Sequence, residues 1–383
     1  MTARATLTID LDKVTENARR VVDALGGLHV VGVTKVTCGS PEVGRALLAG
    51  GAQALGESRL ENAERLRAAG IAAPIWLLRA PTPDLAADAV RLTDVSLESE
   101  LDTVRALDRA AGAQGRRHGV IAMVDLGDLR EGMLPADLPA FADAVERLDH
   151  VELAGVGVNL TCYGAVCPTP QNLGQLAGLA LQTERALGRR LAFVSGGNSG
   201  SIGLVLTGRM PAGVTSLRVG ETILLGVDTL TREPMLDLRL DAFVVSAPVI
   251  ECKVKPSMPS GEVAQDAFGN RPTFVDRGER PRVICALGRQ DAPPEGLRPV
   301  DPRVEVLGAS SDHLILDVEA VDPPPRLGQP ISFVPTYGAL LQLSTSPYVD
   351  KVYLDTARIE TPHGVDPGSA HSASHDKVFT PPA

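Results

Sequence analysis

A TIM-like (β/α)8 barrel followed by an all-β domain is the fold class this sequence predicts, and three observations predict it. From residue 28 onward, short β-branched apolar runs alternate with helical stretches, the pattern of βα units around a buried parallel sheet. The runs number eight. After about residue 233 the helical period stops, and prolines and alternating runs take its place.

In chain order the strand-like runs cover residues 29–35, 54–57, 74–79, 94–97, 119–126, 153–159, 191–195 and 216–219. Between them, residues 42–49, 60–69, 98–111, 138–148 and 172–187 repeat apolar side chains at three- and four-residue intervals, as one buried helix face requires. Eight strands that close a barrel share one concave surface, formed by the loops at their C-terminal ends, so chemistry is expected there. Lys35, Glu57, Arg79 and residues 125–130, 159–162, 195–201 and 218–221 all fall at or just beyond such ends. Further on, residues 243–254, 282–287, 314–318 and 330–334 alternate as strands do. The expected division is a barrel over 1–233, a β-domain over 234–361 and a disordered tail over 362–383, where Pro, Ser, His and Gly leave little to bury.

Composition narrows the partners. With 383 residues, 44% of them hydrophobic, the chain can fill a large core and a second domain. A formal net charge of -10, with no basic cluster longer than Arg116-Arg117, argues against nucleic acid and membrane surfaces and leaves small molecules. Cys38, Cys162, Cys167, Cys252 and Cys285 are odd in number and lack zinc spacing, so free thiols in a reducing compartment and no metal are expected. No secretory signal opens the chain, and no run approaches the ~20 apolar residues of a membrane span. A cytoplasmic protein is the expectation.

Residues 29–35, His-Val-Val-Gly-Val-Thr-Lys, end an apolar strand on Lys35. A buried ammonium must be paired, open to a cavity or used covalently, and burial lowers an amine's pKa toward the range in which it forms Schiff bases. The structural alternative is a lysine that snorkels to the strand's wet end. Residues 195–201, Ser-Gly-Gly-Asn-Ser-Gly-Ser, follow a strand and open a helix, so backbone N–H groups can approach an anion. Residues 216–221, Ser-Leu-Arg-Val-Gly-Glu, end the next strand with a fixed positive charge and another glycine. Either segment alone reads as a plain turn. Together, on adjacent strands of a barrel whose last two loops often bind phosphate, they suit a phosphorylated carbonyl cofactor anchored on Lys35.

A longer ordered set of motifs carries a resemblance. These are Gly-Val-Thr-Lys35-Val-Thr-Cys-Gly, Met-Val-Asp-Leu-Gly-Asp-Leu-Arg130-Glu-Gly, Asn-Leu-Thr-Cys162-Tyr-Gly, Ser-Gly-Gly-Asn198-Ser199 and Leu-Arg218-Val-Gly-Glu, then Asp266-Ala-Phe-Gly-Asn, Gly-Arg-Gln-Asp291, Gly-Ala-Ser-Ser-Asp312-His313 and Tyr337-Gly-Ala-Leu-Leu. Over residues 6–354 the chain resembles the fold-type III pyridoxal 5'-phosphate (PLP) enzymes, the group of alanine racemase, and within it the ornithine racemases. The resemblance implies that Lys35 holds PLP and moves the Cα proton on one face. It implies a cofactor seat made by Asn198, Ser199, the backbone around Gly220 and Glu221, and the Tyr337 hydroxyl. Arg218 would face the pyridine nitrogen, where a guanidinium that stays protonated leaves the ring nitrogen uncharged and limits delocalisation into the ring. Arg130 matches the position that contacts the substrate carboxylate, a task for a planar fork of donors. A homodimer with shared active sites is implied as well.

The departures from that family matter as much. Racemisation needs a proton carrier on each face of Cα, and the partner-subunit tyrosine of alanine racemases is missing. Asp266 is the candidate in its place, provided desolvation raises its pKa, with Cys162 as the alternative and a surface turn as the structural reading of Asp266. Met123 stands where alanine racemases often carry a carbamylated lysine, so Arg130 must be oriented otherwise. Small Ser310 and Ser311 leave room for a longer substrate. Asp266, Asp291, Asp312, Glu57 and Glu221 are unranked candidates for a distal ammonium, and Asp312 joins Arg130 as a substrate-binding candidate. His313 and Cys38 read as structural neighbours of the site, and Trp76 as core. The expected reaction interconverts L- and D-ornithine; the rivals are a racemase for lysine, arginine or alanine, a decarboxylase, and a non-catalytic PLP-homeostasis protein.

Overall fold

The computed structural model describes residues 4–355. The expected tail, 362–383, lies outside the described residues. The chain opens with β1 (Thr6–Asp10) and α1 (Leu11–Ala24), whose start is capped by the Asp10 carboxylate accepting from the Lys13 N–H. The barrel follows: β2 (His29–Val33), α2 (Pro41–Ala49), β3 (Ala54–Glu57), α3 (Leu60–Ala68), β4 (Ile75–Leu77), α4 (Ala86–Leu92), β5 (Val95–Glu98), α5 (Leu101–Ala113), β6 (His118–Met123), α6 (Leu138–Glu146), β7 (Val151–Gly157), α7 (Pro170–Leu187), β8 (Phe193–Asn198), α8 (Ile202–Leu206), β9 (Ser216–Val219) and α9 (Glu221–Leu225). β2 to β9 pair in parallel and in order, and β9 returns to β2, so the eight-strand barrel closes as expected.

Alternation along each strand separates two cores. Val31, Ala54, Trp76, Val95, Leu97, Ile121 and Met123 fill the barrel interior, whereas Leu77, Val120, Ala122 and Val156 face the helices. At the N-terminal end the rings of His29, Trp76 and Phe193 pack together with centroids 4.8–5.8 Å apart, His29 stacked on Trp76 and Phe193 edge-on to Trp76. This plug closes the floor, confirms Trp76 as core, and leaves the C-terminal mouth as the barrel's opening.

The second region contains β10 (Phe243–Pro256), β11 (Glu279–Cys285), β12 (Leu297–Pro299), β13 (Glu305–Ala309), β14 (Leu314–Asp317), β15 (Pro330–Pro335), α10 (Tyr337–Thr345) and β16 (Asp350–Leu354). Its sheet runs β12-β15-β10-β11-β14-β13, all antiparallel. β1 lies outside the barrel: it pairs antiparallel with β10 and parallel with β16. The antiparallel sheet of this region carries one helix, α10, whose Ala339, Leu340 and Leu343 are buried, and α10 packs on the turn that carries Lys35. That contact brings Tyr337 to the barrel mouth. Asn17 secures the connection between the two regions, donating to Ile223 O and Arg239 O and accepting from the Arg239 N–H.

Candidate active site

The mouth encloses a cavity of about 790 Å³, within the range of small-molecule sites. Lys35 lies in it, not on the strand itself but as the first residue of the 3-10 turn Lys35–Thr37. The turn is held from behind. Thr34 Oγ1 donates to Glu57 at 2.6 Å, and the Thr37 hydroxyl donates to Thr34 O at 2.9 Å. Lys35 is half-buried and makes no hydrogen bond or ion pair among the described residues, so its amine is left for the cavity.

One wall comes from β7, β8 and β9. Arg218 is buried and donates to Ser195 Oγ, to Val158 O at 3.0 Å and to Asn159 Oδ1 at 3.3 Å. Burial pushes its pKa down to about 10, which still leaves it charged at neutral pH. Asn198 ties the loop after β7 in place: its Nδ2 donates to Leu160 O at 2.8 Å and reaches Cys162 Sγ at 3.5 Å, while its Oδ1 accepts from the Gly200 N–H at 2.9 Å. Next to it, the backbone N–H groups of Gly220 and Thr222 converge on Ser199 Oγ at 3.3 and 3.4 Å. A Cβ on Gly220 would sit 3.0 Å from Val33 Cβ, so glycine lets the chain come close there. Tyr337 lines the same cavity, and its hydroxyl makes no hydrogen bond among the described residues. Converging N–H donors with long, weak bonds, a free phenol and a free amine fit a phosphate-bearing carbonyl cofactor.

The opposite wall comes from β4, β5 and β6. Arg130 lies here, its Nε and Nη2 donating to the two carboxylate oxygens of Glu131. Buried Asp128 stitches this loop to the next, its Oδ2 accepting from the N–H groups of Cys162 and Tyr163 at 3.3 and 3.1 Å. Gly164 closes the stitch by donating to Asp128 O at 3.0 Å, where a Cβ would come 2.7 Å from that oxygen. Arg79 lines the wall and makes no hydrogen bond or ion pair among the described residues. Glu98 ends β5 almost fully buried, and neither carboxyl oxygen has a hydrogen-bond partner of good geometry. Burial pushes its pKa up to about 8, only partly offset by the nearby Ser96 hydroxyl, which meets His118 Nε2 at 3.0 Å. Burial brings His118 down to about 4.

Of the residues expected from sequence, Lys35, Arg130, Cys162, Asn198, Ser199, Arg218, Gly220, Glu221 and Tyr337 line this one cavity. Asp266 and Asp312 do not. Both are exposed in the second region, and Asp266 caps its own turn by accepting from the N–H groups of Phe268 and Asn270 at 2.9 and 2.8 Å. Those bonds, Asn270's first, lower its pKa, the reverse of the desolvation a carboxyl base would use here. Among the other acids considered, Glu57 is engaged by Thr34, Asn62 and Ser58, and Asp291 by Ser346 at 2.7 Å; Glu221 reaches the cavity but pairs with Arg232. His313 is exposed. From sequence, Asp128 and Glu131 were visible only as members of the Arg130 motif with no role assigned to either, and Glu98 was not singled out, since nothing but burial distinguishes it.

Residues 9–227 match the family described as alanine racemase, N-terminal domain. The chain is 41% identical to the ornithine racemase of Acetoanaerobium sticklandii, over 91% of this chain and 99% of that protein. It is 40% identical to the lysine racemase of Thermotoga maritima, over 91% and 98%. Its fold superposes on the crystal structure of alanine racemase from D-cycloserine producing Streptomyces lavendulae with a TM-score of 0.72 at 21% identity, covering 93% of this chain and 98% of that one. With its barrel and its sequence both matched at this length, the chain belongs to the alanine racemase family.

Proposed function

We propose that this protein is a PLP-dependent amino acid racemase that interconverts L- and D-ornithine. The observation that carries the reading is the convergence of an unpaired Lys35, the Ser199–Gly220–Tyr337 corner and buried Arg218 on one cavity. When bound through Lys35, PLP supplies an electron sink that makes the substrate's Cα proton acidic. Lys35 then holds or returns that proton on its own face. Arg218, held by three acceptors, would face the ring nitrogen of bound PLP as a guanidinium that keeps its proton. Arg130 receives the substrate carboxylate.

On the second face, Cys162 is the proton carrier that this chain itself brings to the cavity. Asp266 could act only in a second copy's site. A homodimer with shared sites is supported by two apolar surfaces: Leu129 and Tyr163 stand exposed at the mouth, and Val263, Phe268, Phe274 and Val275 stand exposed on the loop after β10. A cytoplasmic setting is supported by five cysteines that are all free. Among the described residues, no helix is long and apolar enough to cross a membrane.

The test is incubation of the PLP-loaded protein with L-ornithine and with each of the twenty standard L-amino acids in D2O, following Cα exchange and D-isomer formation. Ornithine should exchange and racemise fastest. Faster turnover of lysine would favour the second reading, which the 40% identity to a lysine racemase supports. CO2 release would mark a decarboxylase, and bound PLP without exchange would mark a non-catalytic protein.

A further inference from the structure

A guanidinium has two donor edges. On Arg130 the side edge, Nε and Nη2, is filled by Glu131, while Nη1 makes no hydrogen bond. The end edge is therefore open, and both residues line the cavity. A carboxylate bound bidentate to one edge fixes the plane of the guanidinium, so it fixes where the other edge points. Among the described residues no other side chain hydrogen-bonds Arg130. The neighbouring Met123 offers only a thioether, and Asp128, though close enough for its charge to act on Arg130, spends its carboxylate on the Cys162 and Tyr163 N–H groups.

The charges sharpen the case. Arg218 responds to Glu131 and to Arg130 in opposite directions, with Glu131 the stronger influence. Glu131 thus acts on both Arg130 and Arg218, which line the cavity with it. A rival role for Glu131, receiving the distal ammonium of a diamino acid, would require it to release Arg130, because both of its oxygens are occupied.

We propose that Glu131 is a positioning residue: by holding the side edge of Arg130, it presents the end edge to the α-carboxylate of the substrate and does not itself touch the substrate. The proposal rests on the reading of Arg130 as the carboxylate binder. The consequence for substrate class is that recognition of the α-carboxylate is built wholly within one chain, whichever carboxylate meets the side chain's far end.

The experiment uses the PLP-loaded protein and its Glu131→Gln, Glu131→Asp, Arg130→Ala and Arg130→Ala/Glu131→Gln variants. It measures kcat and KM for ornithine, and calorimetric binding of ornithine and of 1,4-diaminobutane, which keeps both amines and lacks the carboxylate. Glu131→Gln should weaken ornithine binding and raise KM about tenfold, the worth of one charge-assisted orientation, with a smaller fall in kcat. Binding of 1,4-diaminobutane should not change, Glu131→Asp should recover part of the loss, and Glu131→Gln should add nothing in the Arg130→Ala background. A loss of 1,4-diaminobutane affinity, or an equal loss with and without Arg130, overturns the proposal. If Arg130→Ala alone leaves ornithine binding intact, the reading beneath it fails instead, and the proposal with it. Should Glu131→Gln fail to fold, the same comparison is made with Glu131→Asp in both backgrounds.

Discussion

The two walls of the cavity are built on different principles. On the β7–β9 side Arg218, Asn198 and Ser199 are already engaged: Arg218 donates to three acceptors, Asn198 spans two loops, and Ser199 gathers two backbone N–H groups. On the β4–β6 side Arg79 has no partner, Glu98 has two unsatisfied oxygens, and Arg130 is held by the residue next to it. A wall satisfied in advance is rigid and suits a group that stays bound. A wall with open valence suits a ligand that comes and goes, because its bonds are completed only on binding.

The largest expected effect breaks the site between the walls. Lys35→Ala should lower racemisation by about a thousandfold or more, since the anchor and a proton carrier leave together; loss of the PLP–lysine absorbance band reports the first and Cα exchange the second. Full activity in that variant would sink the functional reading. Within the satisfied wall, Arg218→Ala strands Val158 O, Ser195 and Asn159 in a buried place. It should destabilise the fold by about 3–5 kcal/mol, read by urea unfolding of the cofactor-free protein. A loss below 1 kcal/mol would show that this wall is less preformed than its bonds imply.

The open wall should respond in the other direction. Glu98 has a folded pKa of about 8, above its ordinary value of 4.5. The folded state therefore holds that proton more tightly than the unfolded chain, and the stability tied to it is full below pH 4.5 and is lost as pH rises to about 8. Glu98→Gln removes this dependence and should gain on the order of 2 kcal/mol at pH 8.5 while changing little at pH 4.5; unfolding midpoints across that range give the comparison. His118 contributes the opposite slope, with its stability present above its ordinary 6.5 and lost as pH falls to about 4. The smallest effect is expected at the stitch between the loops: Asp128→Asn should cost about 1 kcal/mol locally and speed amide exchange at Cys162 and Tyr163 more than elsewhere.

Much of this architecture was legible in the sequence, for a physical reason. Strands buried on both faces must be β-branched and apolar, so β2 to β9 stand out from their helices, and a polar residue at the end of such a run, like Lys35 or Arg218, is conspicuous. β1 was hidden because five alternating residues do not say which sheet they join, and α10 because its nine residues, Tyr337–Thr345, make only about two and a half helical turns. In the site, Glu131 was overlooked because adjacent residues on a loop obey no spacing rule, and Glu98 because burial, not type, makes it unusual. Asp266 and Asp312 drew attention by motif, yet their side chains are exposed and away from this chain's cavity.

The placement of β1 bears on how the protein is made. Thr6 is registered against Asp350, and Arg4 bonds Asp350 across a sequence separation of 346 residues. A ribosome therefore releases one of the first strands of the sheet long before the strand beside it exists. Until then that edge is bare, a template for unwanted pairing. The barrel can close during synthesis, but the sheet that carries Tyr337 to its mouth is sealed last, so the cofactor corner should mature only as the chain is finished.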